Sequence, residues 1–131
     1  GGMDPVKVLQ RAYQDELLDA LRAEGAAQGV PYPHVRALLL EVARRERAHA
    51  EALAEALRRR GASLPPAPKP EEGGWETLLR LLSEEGLDRA YYLESTFPDP
   101  ELEALFTRLG QEERLNQEAV RKAVMLIGGG L

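Results

Sequence analysis

The stretch Gly61-Ala62-Ser63-Leu64-Pro65-Pro66-Ala67-Pro68-Lys69-Pro70, followed by Glu71-Glu72-Gly73-Gly74, decides how the rest of the chain folds. Its prolines fix φ and remove backbone donors, so the segment is extended rather than floppy. These 14 residues reach roughly 43 Å at about 3.1 Å each. A helix of about 25 residues is roughly 38 Å long. The segment can therefore run the whole length of a helical bundle and leave the helices on its two sides parallel.

Outward from it, the chain reads as helix. Ala, Leu, Glu and Arg dominate, and strand formers are scarce, with one isoleucine in the whole chain. Helix 1 starts at Asp4-Pro5 and fades at Gly25 or Gly29. Helix 2 starts with Pro33 and stops at Gly61, where Arg58-Arg59-Arg60 complements a helix C-terminus. Helix 3 begins near Trp75 and ends before Pro98. Helix 4 opens at Asp99-Pro100-Glu101 and stops at the glycines 128–130. The short connections join antiparallel neighbours. The expected fold is all-α: a single four-helix bundle domain over 1–131, with helix pairs at about 5–60 and 75–127 joined by the crossover 61–74.

Composition narrows the function. At 44% hydrophobic and 30% charged, the chain can bury a core and is not of the disordered class. No apolar run reaches about 18 residues, so no membrane span is expected. Seventeen Lys and Arg against 22 Asp and Glu leave a net charge of −5, the wrong sign for nucleic-acid binding. The absence of cysteine removes disulfides, thiolate metal sites and thiol nucleophiles. No signal-peptide pattern opens the chain, Gly1-Gly2 before Met3 reads as a cloning remnant, and a cytoplasmic location is expected.

The chain also repeats itself. Tyr32-Pro33-His34-Val35-Arg36-Ala37-Leu38 returns 67 residues later as Asp99-Pro100-Glu101-Leu102-Glu103-Ala104-Leu105, and at that offset Glu46 falls on Glu113. Helices 1 and 3 align at an offset of 69, which places Glu16 on Glu85 and Asp19 on Asp88. Two copies of one helical hairpin explain this pattern.

Each apolar helical stripe is broken near its middle by an acid: Glu16, Glu46, Glu85 and Glu113. Four carboxylates in one core repel each other and cannot all stay ionised without compensation. Metal cations supply it economically; protonation, or a rotation that turns some Glu outward, are the competing accounts. Glu46-x-x-His49 places an oxygen and an imidazole nitrogen on one helical face. His34, at a helix start, is expected on the surface, and Trp75 as a cap on the core.

With these residues in view, the chain resembles the rubrerythrin-like branch of the ferritin-like superfamily of di-iron carboxylate proteins, from about residue 5 to residue 127. That family carries a Glu on helix 1, Glu-x-x-His on helix 2, a Glu on helix 3 and a second Glu-x-x-His on helix 4. The resemblance implies the ligands Glu16, Glu46, His49, Glu85 and Glu113, with Asp88 as the further helix-3 acid. Glu46 and His49 would hold one ion and Glu113, with or without Asn116 as a weak ligand, the other, with Glu16 and Glu85 bridging or capping. It implies two iron ions, with manganese or zinc as alternatives, and peroxidase or ferroxidase activity. It also implies a homodimer and a separate electron donor, since this chain has no four-cysteine rubredoxin-like domain. Tyr92 occupies a common tyrosine position, here read as core packing with its hydroxyl on a carboxylate. The chain departs from the pattern at Asn116, where the second motif has His; an amide oxygen is the weaker ligand. That departure supports the alternative of a non-catalytic structural or interaction bundle with a degenerate metal site.

Overall fold

In the computed structural model, which describes residues 4–69 and 73–128, four helices follow in order: α1 (Pro5–Gln28), α2 (Pro33–Arg59), α3 (Trp75–Glu94) and α4 (Pro100–Gly128). Each boundary has a local cause. The Asp4 side chain accepts a hydrogen bond from the Val6 amide at 3.0 Å, and Asp99 does the same for Glu101 at 2.9 Å. Pro5 and Pro33 each stand in a first turn, where no intrahelical donor is needed. Gly61 adopts φ +66, a left-handed conformation that ends α2. Gly1–Met3, residues 70–72 of the crossover and the glycines 129–130 lie outside the described residues.

Two apolar clusters define the packing. One joins the end of α1 (Ala23, Ala26), the start of α2 (Val35, Leu39), the start of α3 (Leu78, Leu81) and the end of α4 (Val120, Ala123). The other joins the opposite ends, through Leu9, Leu53, Leu57, Tyr92, Leu102 and Phe106. The starts of α2 and α3 thus lie together, as do the ends of α1 and α4, so both diagonal pairs run parallel. Within each hairpin the helices are antiparallel. This is the ferritin-like bundle of two hairpins with one long crossover.

The crossover lies along α1. Gln10 donates to the Ser63 carbonyl at 3.0 Å and Gln14, one turn further, to that of Pro66 at 3.5 Å. It rejoins the bundle where Gly73 meets Gly25: a Cβ at Gly73 would fall 2.1 Å from the Gly25 oxygen and 2.8 Å from its carbonyl carbon. Backbone cannot move aside as a flexible side chain does. Gly73→Ala is expected to cost about 1–3 kcal/mol through overpacking. Urea denaturation checks this, and an unchanged midpoint would show that the crossover is not seated on α1.

One side chain differs from its expected place. Trp75 is 45% exposed and does not cap the core. Its ring lies over the end of α4, 3.6 Å from where a Gly128 Cβ would stand. The first turn of α3 projects beyond the last apolar layer, so even a tryptophan there stays half in water. His34 is exposed, as expected. Among the described residues, no helix is long and apolar enough to cross a membrane.

Candidate metal centre

Between the two apolar clusters, all four helices deliver acids to one level of the core. Glu16 (α1), Glu46 (α2), Glu85 (α3) and Glu113 (α4) are all fully buried, and His49 and Asn116 are buried with them. Glu84, next to Glu85 in the chain, is only half-buried. Helical spacing adds a second acidic pair one turn on, buried Asp19 and half-buried Asp88.

Donor atoms of Glu16, Glu46, His49 and Glu113 all lie within 4.8 Å of one another, and so do those of Glu46, Glu85, Asp88 and Glu113. The two groups share Glu46 and Glu113, placing these between the two positions. Glu16 belongs to the first group alone and Glu85 to the second alone. The positions also differ in chemistry: only the first includes a nitrogen.

His49 is fixed at both ring nitrogens. Nδ1 faces the interior, 3.0 Å from Glu113 Oε1 and 3.3 Å from Glu16 Oε2. Nε2 faces outward, 2.9 Å from Glu112 Oε1. Such a carboxylate on the far nitrogen sets the orientation and basicity of a ligating imidazole. Glu112 is 39% exposed and looks like any solvated glutamate in the sequence; nothing in its spacing marks it. The Tyr92 hydroxyl donates to Glu16 Oε1 at 2.6 Å, as read from the sequence. Arg22, three residues beyond Asp19, adds the nearest buried cation, with Nη1 3.2 Å from Asp19 Oδ1. The i, i+3 spacing of Asp19 and Arg22 was a legible signal for that pair.

Asn116 departs from the role of weak ligand. Its side-chain NH2 donates to Glu46 Oε1. Its oxygen accepts from Arg45 Nη1 at 2.6 Å. Arg45, one of the basic residues Arg44, Arg45 and Arg47 of α2, is half-buried and reaches across to α4.

Burial and mutual repulsion push these acids upward. Burial, then the Glu113 charge, raises Glu16 to about 7. Burial raises Asp19 to about 6 and, with the facing Asp19, Asp88 to about 12. Glu46 and Glu85 stand well above the carboxylate range, first through burial, then through neighbouring Glu. His49 and Glu113 behave as an ion pair. Burial opposes the His49 charge, but bonds to Glu113 and Glu16 lift the imidazole to about 10. Burial likewise opposes the Glu113 charge, but bonds from Glu85, His49 and Glu16 bring it down to about 2.

These directions set the pH dependence of the metal-free protein. Acids raised on folding hold protons that the unfolded chain has released, so their stabilisation is present below about pH 4 and is lost as pH rises through the shifted values. His49 acts in the same direction between its ordinary value and about 10, whereas Glu113 opposes it only below about pH 4.5. In chelator, the urea midpoint is expected to be higher at pH 5 than at pH 8. Glu16 alone contributes about 2 kcal/mol to the difference. A midpoint that rises with pH contradicts this charge distribution.

Seven buried carboxylate oxygens accept no well-formed hydrogen bond from a nitrogen or hydroxyl donor: both of Glu85 and one each of Glu16, Asp19, Glu46, Asp88 and Glu113. Buried polar atoms are almost always paired, and carboxylate oxygens are hard donors for divalent cations. The residues present fit a metal cluster.

A ferritin-like bundle with a buried carboxylate and histidine cluster that could bind metal is the class that fold and site define. The chain belongs to the rubrerythrin family, whose model matches residues 7–97. That stretch carries Glu16, Glu46, His49, Glu85 and Asp88 and ends before α4, where Asn116 departs from the motif. No curated relative and no solved structure matches the chain.

Proposed function

We propose that this protein holds two metal ions, iron in the first instance, and acts as an oxidoreductase on peroxide or dioxygen. The seven carboxylate oxygens without a nitrogen or hydroxyl donor carry this reading, because two cations in their midst would give each a partner. Glu16 and His49 would hold one ion, Glu85 and Asp88 the other, and Glu46 and Glu113 would lie between them. Reduced iron in such a pair supplies electrons for cleaving an O–O bond, as in peroxide reduction or ferroxidase turnover.

The chain's own groups would prepare that chemistry. Tyr92 orients Glu16, and Glu112 orients His49. The apolar layers at both ends keep bulk water away and strengthen every charge interaction in between. Re-reduction would use a separate donor protein.

Anaerobic loading with ferrous salt followed by elemental analysis tests the reading. About two irons per chain are expected, with an absorbance change on admitting air or peroxide. His49→Ala is expected to weaken retention about 10–100-fold. The bond between Arg45 and Asn116 favours one rival, a bundle that keeps the fold but has lost catalysis. Under it, at most one iron stays and the spectrum does not change.

A further inference from the structure

We propose that the two metal positions select different elements, so that the protein assembles a mixed-metal pair: a nitrogen-preferring ion at His49, and a hard, oxygen-preferring divalent cation such as manganese between Glu85 and Asp88. The inference rests on the two-ion reading and adds which ion goes where.

The Glu85 and Asp88 position takes its donors from four carboxylates, Glu46, Glu85, Asp88 and Glu113, and no imidazole reaches it. The nitrogen expected from the repeat is missing because residue 116 is Asn. Nor does its amide oxygen take the place of one, since Arg45 holds that oxygen at 2.6 Å and the NH2 group is on Glu46. An NH2 group repels a cation, so Asn116 as oriented contributes no ligand. A second observation points to an ion there: the Glu85 carboxylate is fully buried and meets no nitrogen or hydroxyl donor, only other acids.

Donor type then discriminates. Imidazole suits zinc and iron, whereas all-carboxylate sets suit manganese, magnesium or calcium and narrow the advantage that zinc has elsewhere. With zinc scarce and manganese in excess, zinc collects where the imidazole is and manganese fills the all-oxygen position.

The test is positional and needs no turnover. Metal-free full-length protein is given one equivalent of zinc and an excess of manganese, crystallised, and mapped by anomalous scattering at both absorption edges. The expected result is zinc beside His49 and manganese between Glu85 and Asp88. In N116H, the second position gains an imidazole to match His49, and zinc should distribute over both. Zinc divided evenly in the unaltered chain, or manganese still confined to the second position in N116H, overturns the inference and leaves the two-ion reading standing. No metal at either position overturns both.

Discussion

Stripping the proposed ions with a chelator is expected to lower the melting temperature by on the order of 10 °C. Ions that bind only the folded chain add about 2.7 kcal/mol at a hundred times their dissociation constant, and a domain of this size moves about 4 °C per kcal/mol. The cause lies in the core. Among the described residues, six acids, Glu16, Asp19, Glu46, Glu85, Asp88 and Glu113, are offset by two basic groups in contact with them, His49 and Arg22. Without cations the site must either keep like charges in contact or take up protons that the unfolded chain does not need. Calorimetry with and without chelator at pH 8 measures the difference. Equal melting temperatures, with metal shown to be present beforehand, would mean that the carboxylates are already satisfied by protons.

Glu85→Gln should separate stability from metal binding. Glu85 is fully buried among other acids, and burial and Glu113 raise it well above the carboxylate range. An amide of nearly the same shape keeps the packing, donates to Glu113 as a protonated Glu85 does, and carries no charge. Relief of the unsatisfied buried group is expected to stabilise the metal-free protein by about 1–3 kcal/mol at pH 8 and to flatten its pH dependence. The same change removes a ligand that only Glu85 can supply, so the second ion is lost. A variant that is more stable without metal and binds one ion fewer is the signature of a residue retained for chemistry at the expense of folding. A variant that is less stable without metal contradicts the strained cluster.

How much of this was legible depended on how local each signal is. The crossover could be read from chain length alone, because proline stiffness and helix rise are intrinsic, and the structure lays it along α1 through Gln10 and Gln14. The four central glutamates were legible because an acid interrupting an apolar stripe has no face on which to hide. The Tyr92 contact with Glu16 followed from the same helical spacing. Contacts made across helices by surface-like residues were not legible. Glu112 reaches His49 from a half-exposed position, and Arg45 reaches Asn116 from among the basic residues of α2. The role of an Asn depends on which neighbours face its oxygen and which its nitrogen, and those neighbours lie 70 or more residues away in the chain. Trp75 misled for a related reason: its size favours burial, but its place in the first turn of α3 sets it beyond the apolar layer.

The central claim is that two ions sit among four helices at the level of Glu46 and Glu113. A crystal soaked anaerobically in ferrous salt, with data collected at the iron edge, tests it most directly. Two anomalous peaks are expected, one bounded by Glu16 and His49, the other by Glu85 and Asp88, both touching Glu46 and Glu113. A core without iron, its carboxylates bonded in pairs through shared protons and His49 still seated on Glu113, would contradict the account.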